Sequence, residues 1–314
     1  MTKIHILGPQ PELFMSKLAD LFPQVEYSIA SSRDDTGAGF RDFDVLFTFS
    51  DFLGPDSFKN ASHIRWVQSL GAGLDQMIDS PYLDDSVTFS SMRGIHGPQV
   101  SELAIMFMLV LSREYPRAMR NQSNKIWERW PGKSLLDKTI GILGTGNIGE
   151  ALAKRCKAFD MQVVGITKTP RELNNFDEVV TRHELINAVK KMDYLVVLVP
   201  LNDETRNIVN RPIFKAMKPS AILINLARGG VVNEADLLGA LNDGEIASAA
   251  LDVFEQEPLP KNSPLWTQSN LILTPHLGGM VDVYVEKTLP ILKHNIQAFL
   301  KGDIENMQNL VKRS

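Results

Sequence analysis

Three polar residues in the last third of the sequence are of types that together can transfer a proton and hold an acid. Arg228 lies in NLARGG, Glu257 in DVFEQEPLP and His276 in TPHLGG, and each follows an apolar run. A histidine can protonate a carbonyl oxygen, a nearby carboxylate raises the histidine pKa, and a guanidinium binds a carboxylate in bidentate fashion. Taken singly, each has an ordinary alternative as a loop cap, a solvated acid or an ion-pair member. Their shared position after strand-like segments favours a site that accompanies hydride transfer.

The segment GTGNIG, residues 144–149, is typical of a dinucleotide-binding turn. It follows the strand-like run 139–143 and precedes a predicted helix over 150–158. In such turns the first glycine permits the sharp turn, the second lets the backbone approach a pyrophosphate, and the third lets helix and strand pack closely. The N–H groups of the helix N-terminus then bind phosphate oxygens. The same glycines occur in ordinary strand-to-helix turns, so the prediction of a dinucleotide-binding turn depends on the flanking strand and helix.

The end of the next predicted strand, 162–166, bears on which dinucleotide is bound. A site that selects NAD usually has Asp or Glu there, whereas this sequence continues Thr167-Lys168-Thr169-Pro170-Arg171. The cations suit a 2′-phosphate, because an ion pair at about 4 Å and an effective dielectric of about 20 contributes about 4 kcal/mol before desolvation. We therefore predict NADP(H) as the favoured cofactor, with NAD(H) as the alternative. The other interpretation of this segment is a solvated basic loop.

The elements that would position these residues alternate between short apolar strands and helical stretches. In the N-terminal part the predicted strands are 3–7, 44–49, 65–69 and 87–89, with a helix at 11–21. In the second part the six predicted strands are 139–143, 162–166, 194–199, 221–225, 247–253 and 271–274. This alternation predicts parallel sheets in an α/β fold. We expect two doubly wound parallel-sheet domains with a cleft between them, the second being a Rossmann dinucleotide-binding domain.

Two further predicted helices set the expected domain boundaries. The helix from 101 to about 113 is apolar nearly all round, so we expect it to be buried between layers, domains or subunits. The last helix, 285–301, ends at the stop signal Gly302 and is expected to pack back on the N-terminal domain. The sequence thus predicts a substrate domain formed by residues 1–97 plus 285–314 and a dinucleotide-binding domain over 98–284.

Length, charge and cysteine content exclude several classes of protein. The 314 residues suggest two domains, and 44% hydrophobic with 22% charged residues is ordinary for a globular protein. A net charge of -4 without a basic block argues against a nucleic-acid or membrane-surface partner. The single cysteine, Cys156, allows no internal disulfide and no thiolate metal site. With no signal-peptide pattern at the N-terminus, we expect a cytoplasmic protein without a metal centre.

Beyond these features, the sequence resembles the D-isomer-specific 2-hydroxyacid dehydrogenase family along essentially its whole length. The resemblance rests on the order and context of GTGNIG, PLNDETRNIVN, NLARGGVVNEADL, ALDVFEQEPLP and TPHLGG. It implies an oxidoreductase that interconverts a small 2-oxo acid and a D-2-hydroxy acid, as glyoxylate/hydroxypyruvate reductases do, and that forms a homodimer. It also implies that Arg228, Glu257 and His276 match the catalytic arginine, glutamate and histidine of the family.

The resemblance further implies the residues that bind substrate and cofactor. Backbone N–H groups of the loop formed by Leu70, Gly71, Ala72 and Gly73 are expected to bind the substrate carboxylate, together with Arg228 and His276. From its residues alone this loop is either an anion nest or a plain turn. Asp252 is expected near the nicotinamide amide. The full set expected at the cofactor is Gly144, Thr145, Gly146, Asn147, Ile148, Gly149, Thr167, Lys168, Thr169, Arg171, Val199, Pro200, Thr205, Leu226, Ala227, Asp252, Gly278 and Gly279.

Departures from the family pattern affect the cofactor and the pocket and leave the three catalytic positions intact. Asn233 stands where Asp is common, Met280 where a small residue is usual, and the acidic ribose ligand is absent. The alternatives are an NAD-linked phosphoglycerate-type dehydrogenase, a non-catalytic dinucleotide sensor and a nucleotide-fold methyltransferase. The intact trio argues against the last two. Because the sequence ends at Ser314, we expect no amino-acid-sensing domain of the kind that some phosphoglycerate dehydrogenases carry.

Overall fold

The computed structural model describes residues 1–32, 40, 42–53, 56–74 and 77–313. The chain divides into two compact units, Met1–Ile95 with Val281–Ser314 and His96–Met280. Each unit is built on its own sheet, so the last segment of the chain returns to the sheet that the first segment began.

The strands within these described ranges are short, as is usual in α/β proteins. They are β1 (Lys3–Leu7), β2 (Glu26–Ala30), β3 (Val45–Thr48), β4 (Trp66–Ser69), β5 (Thr88–Ser90), β6 (Thr139–Leu143), β7 (Gln162–Thr167), β8 (Glu178–Thr181), β9 (Tyr194–Val197), β10 (Ile222–Asn225), β11 (Ser248–Leu251), β12 (Leu271–Leu273) and β13 (Leu310–Val311).

The α-helices of the same part of the chain lie between the strands. They are α1 (Pro11–Leu21), α2 (Gly97–Ser112), α3 (Tyr115–Ser123), α4 (Asn147–Lys157), α5 (Leu185–Ala188), α6 (Arg211–Ala216), α7 (Glu234–Asn242) and α8 (Tyr284–Lys301). Within the described residues, every helix falls short of the length and apolarity needed to cross a membrane.

The first unit has a sheet in the order β13-β5-β4-β3-β1-β2, parallel throughout except for β13, which pairs antiparallel with β5. One face of the sheet is covered by α1 and α8, which bury Phe14 and Leu292 in a cluster with Phe47 and Trp66. A second apolar cluster, which includes Phe58 and Phe89, contains residues of the same strands. Alternate residues of one strand, such as Phe47 and its neighbour Leu46, enter different clusters, as expected for strands covered on both faces.

A buried chain of hydrogen bonds links α8 to β4 and β5. The Trp66 indole donates to Ser90 Oγ at 2.8 Å, and that hydroxyl donates to Gln68 Oε1 at 2.7 Å. Asn295 on α8 donates to the same Gln68 oxygen at 3.1 Å and accepts from the Gln308 N–H at 2.7 Å. Because these groups are buried, their hydrogen bonds fix the position of α8 on the sheet more specifically than apolar packing does.

The second unit has an all-parallel sheet in the order β12-β11-β10-β9-β6-β7-β8. The chain begins at the central strand β6, moves outward to β8, crosses back to β9 and then proceeds to β12. The strand order therefore reverses between β6 and β9, and ligands bind outside the carboxyl ends of the strands at such a point. Residues of β9 and β10 are buried throughout, which explains why both segments are continuously apolar.

The helix α2 lies against this second sheet. It buries Ala104, Phe107 and Met108 in a cluster with Ile142 of β6 and Leu152 of α4. The sequence predicted that this helix is buried between layers, between domains or between subunits, and the structure shows that it packs between layers. Met106 and Leu109 on the same helix remain partly exposed. Pro98 lies in the first turn of α2, where its missing N–H costs no helical hydrogen bond.

The prediction of two parallel-sheet α/β units is confirmed, but three strands were missed. The sequence predicted six strands in the second sheet, and the structure has a seventh, β8, at its edge. Both β8 and the likewise missed β2 are edge strands with exposed or half-buried residues, so neither has the continuous apolar run that reveals a central strand. The two-residue strand β13 is too short for any periodic pattern.

The buried hydrogen-bond chain generates a stability prediction. Asn295→Ala removes the hydrogen bonds of the Asn295 side chain to Gln68 and Gln308 and leaves the Gln308 N–H without its acceptor. We therefore expect a loss of about 1–3 kcal/mol in the free energy of unfolding. The control is Asn306→Ala, which removes an exposed amide bonded to Asp303. Denaturant unfolding of both variants measures the difference, and equal losses would contradict the assigned role of the buried chain.

Candidate active site

The three polar residues follow three neighbouring strands of the second sheet. Arg228 comes after β10, Glu257 after β11 and His276 after β12. Since β10, β11 and β12 are adjacent and parallel, their carboxyl ends lie along one edge of the sheet. The sheet thus brings together segments that are separated by about twenty to thirty residues of sequence.

His276 and Glu257 form a hydrogen-bonded pair. The imidazole Nδ1 lies 2.8 Å from Glu257 Oε2, and 41% of the histidine side chain is exposed. The other oxygen of the carboxylate, Oε1, accepts the Phe254 N–H at 2.9 Å. Glu257 is therefore oriented at both oxygens, and Nε2 is the histidine nitrogen that is left to face a substrate.

Asp252 holds the loop that carries His276. Its side chain is 2% exposed and accepts three hydrogen bonds, from the Thr274 hydroxyl at 2.5 Å, the Leu277 N–H at 2.7 Å and the Gly278 N–H at 2.8 Å. His276 itself has a φ of 54°, a left-handed conformation that costs on the order of 1 kcal/mol for a residue with a side chain. The bonds to Asp252 offset that cost and fix the direction of the imidazole.

Arg228 lies in a turn that is fixed by Asn225. The buried Asn225 side chain accepts the Ala227 N–H at 3.1 Å and donates to the Arg228 carbonyl at 3.1 Å. A Cβ on Gly229 would fall 1.9 Å from the carbonyl carbon of Phe254, so this turn packs directly against the loop that leads to Glu257. The close approach requires glycine and places the guanidinium near the His276 pair.

The charges of this site shift one another's pKa values. The hydrogen bond that His276 donates to Glu257 raises the pKa of the histidine above its ordinary value, against the opposing effects of burial and of the Arg228 charge. Burial acts to raise the pKa of Glu257, but hydrogen bonds from His276 and Phe254 and the charges of His276 and Arg228 bring it below its usual range. Both shifts favour an imidazolium–carboxylate pair near neutral pH.

A cavity of about 400 Å³ lies at the carboxyl ends of the central strands of the same sheet. Nine residues predicted to bind the cofactor line it, namely Gly144, Thr145, Gly146, Thr167, Lys168, Thr169, Arg171, Val199 and Pro200. Sequence reasoning missed two further lining residues, Leu198 and Arg182. Arg182 directly follows β8. The sequence signal for that strand was the short apolar pair Val179–Val180 within an otherwise polar segment.

The other predicted cofactor residues lie outside the lining of this cavity. They are Asn147, Ile148, Gly149, Thr205, Leu226, Ala227, Asp252, Gly278 and Gly279. Thr205 is fully buried, and its hydroxyl donates to the Pro200 carbonyl at 2.6 Å, so it shapes the loop behind the lining. Leu226 and Ala227 belong to the Arg228 turn, and Gly278 belongs to the His276 loop.

Gly146 and Gly149 differ in how much space the fold leaves for a side chain. A Cβ on Gly149 would lie 2.3 Å from the Gly144 carbonyl oxygen, so the first turn of α4 packs on the preceding loop without room for a side chain. A Cβ on Gly146 would meet no described atom within 4 Å. Packing therefore does not require glycine at 146, and the predicted approach of a pyrophosphate is the reason left to test.

In the first unit, the predicted substrate loop follows β4. Ser69 Oγ donates to the Gly73 carbonyl at 2.6 Å and accepts the Gly71 N–H at 3.2 Å, which closes the turn on itself. The Tyr284 hydroxyl on α8 donates to the Leu70 carbonyl.

Two residues outside these clusters have structural explanations. Asn233, the departure noted in the sequence, caps α7 by accepting the Asp236 N–H at 2.9 Å, which Asp would do equally well. Burial raises the pKa of the Cys156 thiol to about 12, so this thiol is unreactive. Among the described residues, no group of three or more His, Cys, Asp or Glu side chains is arranged to hold a metal ion.

The pair of His276 and Glu257 generates a pH prediction. Because the folded-state pKa of His276 is raised, the pair stabilises the fold below the unfolded pKa, and that stabilisation is lost as the pH rises through the folded-state value. In Glu257→Gln we expect His276 to titrate at lower pH, measured by NMR of the ring nitrogens with His276→Asn for assignment. Glu255→Gln, a change of an exposed neighbour, is the control. An unchanged His276 midpoint in Glu257→Gln would show that the pair does not set this pKa.

The two glycines generate a matched pair of predictions. Gly149→Ala forces a clash in the first turn of α4, and we expect a loss of about 1–3 kcal/mol in the free energy of unfolding. Gly146→Ala should keep wild-type stability and weaken the binding of NADPH and NADH, because its methyl group stands where a pyrophosphate must approach. Denaturation and fluorescence titration measure the two effects. If Gly146→Ala bound NADPH and NADH with unchanged affinity, the pyrophosphate would not bind at this turn.

Residues 105–278 match the profile of the D-isomer specific 2-hydroxyacid dehydrogenase, NAD binding domain. The chain is 32% identical to the glyoxylate reductase of Pyrococcus horikoshii, covering 96% of this chain and 94% of the relative. It is 31% identical to the D-3-phosphoglycerate dehydrogenase of Methanocaldococcus jannaschii over 99% of this chain, but it spans only 60% of that relative's length.

A solved structure has the same fold. It is the NADPH-dependent glyoxylate/hydroxypyruvate reductase of Sinorhizobium meliloti in complex with NADP and sulfate, with a TM-score of 0.84 and 27% identity. The superposition covers 100% of this chain and 99% of that one. The chain therefore belongs to the D-isomer-specific 2-hydroxyacid dehydrogenase family, whose members are NAD(P)-dependent oxidoreductases that act on the CH–OH group of small 2-hydroxy acids.

Proposed function

We propose that the protein reduces a small 2-oxo acid to the D-2-hydroxy acid with NADPH, or catalyses the reverse oxidation. The observation that carries this proposal is the hydrogen bond between His276 Nδ1 and Glu257, held beside the Arg228 turn at the edge of the sheet that also bears the cofactor cavity. The arrangement combines a proton donor, its counter-ion and a carboxylate ligand, which together suit reduction of a carbonyl group next to a carboxylate.

Each side chain of the second unit has a role in this proposal. Arg228 binds the substrate carboxylate and polarises the neighbouring carbonyl. His276 donates a proton from Nε2 to the carbonyl oxygen, and Glu257 keeps the imidazole protonated and oriented through Nδ1. Asp252 fixes the loop that carries His276. NADPH, when bound, supplies the hydride for the carbonyl carbon.

In the first unit, we assign the loop Leu70–Gly73 to the substrate carboxylate. The Ser69 hydroxyl closes the turn, and Tyr284 holds its first carbonyl from α8. The Leu70 N–H donates to the Thr48 carbonyl and the Gly71 N–H to Ser69 Oγ, so we assign the anion to the N–H groups of Ala72 and Gly73. In the proposal, residues 1–97 plus 285–314 are the substrate domain, and residues 98–284 are the dinucleotide-binding domain.

Preference for NADP(H) is supported by the charge of the cavity. Lys168, Arg171 and Arg182 all line it, and β7 ends at Thr167 without the carboxylate that would bind the ribose hydroxyls of NAD. The Sinorhizobium meliloti relative is NADPH-dependent by its description. Glyoxylate and hydroxypyruvate are the first substrates to test, since the Pyrococcus horikoshii relative is named for reducing glyoxylate and the Sinorhizobium meliloti relative for reducing both. A homodimer and a cytoplasmic location remain predictions from the sequence.

A second candidate is NAD-linked oxidation of phosphoglycerate. The match to the phosphoglycerate dehydrogenase of Methanocaldococcus jannaschii extends over 99% of this chain and favours it. The cations of the cavity and the missing acidic ribose ligand oppose its NAD dependence. The two candidates differ in both cofactor and substrate, so a single panel of assays separates them.

The assay follows oxidation of NADPH and NADH with glyoxylate, hydroxypyruvate and branched 2-oxo acids, and reduction of NAD with 3-phosphoglycerate. We expect the fastest turnover with NADPH and a small 2-oxo acid. His276→Asn should lower kcat by about 10²–10⁴, the usual contribution of a general acid, while the Kd for NADPH stays unchanged. His63→Asn, which changes an exposed histidine of the first unit, is the control.

Three outcomes would contradict the proposal. Turnover with phosphoglycerate and NAD alone would favour the second candidate. Binding of NADPH without turnover of any acid in the panel would favour a non-catalytic dinucleotide sensor. Wild-type kcat in His276→Asn would remove this residue from proton transfer.

A further inference from the structure

Arg182 lies beside Lys168 because of the register between two strands. In the parallel pairing of β7 with β8, Thr167 is the Cα partner of Thr181. Each strand ends at that residue, so Lys168 and Arg182 are the first residues after two adjacent strand ends. Both side chains line the cofactor cavity. The register thus adds a cation to the cavity from a strand that the sequence did not reveal.

The backbone at Arg182 is fixed. Arg182 opens a short 3₁₀ turn, Arg182–Glu184, and Thr181 and Glu184 form a reciprocal capping box around it. The Thr181 N–H and hydroxyl donate to Glu184 Oε2 at 2.9 Å and 2.8 Å. The capped turn fixes the backbone from which the arginine side chain extends.

The guanidinium of Arg182 makes few contacts with other protein groups. Its side chain is 18% exposed, and its Nε is buried and lacks a hydrogen-bond partner among the described residues. Its contact with Glu204 is a long ion pair, 3.8 Å from Nη1 to Oε2. Arg171, in contrast, already donates to the Thr145 carbonyl at 2.9 Å and to Glu150 at 3.1 Å. A buried donor of this kind is costly unless a ligand accepts from the group.

Glu204 links the two neighbouring cations. Its Oε1 accepts from Lys168 Nζ at 2.7 Å, and its Oε2 faces Arg182. The hydrogen bond from Lys168 holds the Glu204 pKa below its usual range, so the carboxylate carries its charge near neutral pH. Glu204 is therefore a fixed anion that shares its two cations with any anion in that part of the cavity.

We propose that Arg182 is a determinant of 2′-phosphate recognition and that Glu204, by competing for Lys168 and Arg182, sets how strongly the site prefers a phosphorylated ribose. This inference rests on the NADP(H) assignment of the proposed function. A 2′-phosphate offers acceptor oxygens that suit the guanidinium of Arg182. An unphosphorylated ribose has no negative charge at the 2′ position, so Lys168 and Arg182 stay paired with Glu204.

The test measures binding of 2′,5′-ADP and 5′-AMP to the full-length protein by isothermal titration calorimetry. These probes differ by one phosphate and do not require turnover. Arg182→Gln should weaken 2′,5′-ADP by about tenfold or more, as expected for a lost charged hydrogen bond, and leave 5′-AMP nearly unchanged. Glu204→Gln should tighten 2′,5′-ADP several-fold and also leave 5′-AMP unchanged, because it removes a competing like charge.

An ion pair at the first residue of β8, away from the strand end that meets the cavity, supplies matched controls. Lys191 and Glu178 form an exposed pair, and both residues lie outside the lining of the cavity. Lys191→Gln and Glu178→Gln change the net charge of the protein by the same amounts as the two test variants. We expect neither control to alter the affinity for either probe.

The outcomes separate this inference from the proposed function. If wild-type protein binds 2′,5′-ADP no better than 5′-AMP, the NADP(H) assignment fails and the inference fails with it. If wild-type protein prefers 2′,5′-ADP but Arg182→Gln has no effect, or weakens both probes equally, the inference alone is overturned. Weaker 5′-AMP binding in Glu204→Gln would instead make that carboxylate a ribose ligand and would also overturn it.

Discussion

The hydrogen bond between His276 and Glu257 is the interaction on which the proposed chemistry of this protein depends. It joins residues 19 positions apart and requires both to be held at the ends of adjacent strands. Its strength comes from orientation on both sides, since Phe254 fixes the carboxylate and Asp252 fixes the loop of the histidine. A histidine with a left-handed backbone would otherwise relax, and its ring would lose the direction that proton transfer needs.

The parallel sheet of the second unit places two kinds of chemistry on one edge. The order of its strands reverses between β6 and β9, where the glycine turn opens the cofactor cavity. Next to these lie β10, β11 and β12, whose ends carry Arg228, Glu257 and His276. The same geometric rule for parallel strands therefore accounts for the position of both sites. Electrostatics distinguishes them, with a paired acid and base at one end and a surplus of cations at the other.

Much of this arrangement could be predicted from the sequence. The continuous apolar runs of β9 and β10 mark central strands because both of their faces are buried. Gly144 and Gly149 mark close backbone packing, and the polar residues after the strands mark the edge that carries the candidate site. In contrast, β2 and β8 are edge strands with half-buried residues, so burial leaves no periodic signal in their sequences. Missing β8 also hid Arg182, since a cation after an unrecognised strand has no predicted position.

The sequence by itself determined the α/β class, the glycine turn before α4 and the types of side chain at the edge that carries the candidate site, because these depend on local patterns of apolar residues and glycines. Only the tertiary structure decided which side chains meet. Asp252 proved to be a buried support for the His276 loop, with three hydrogen bonds that no spacing reveals. The register of β7 and β8 likewise placed Arg182 beside Lys168. Contacts of this kind follow from strand order and register, which are set by packing across the whole sheet and not by any single segment.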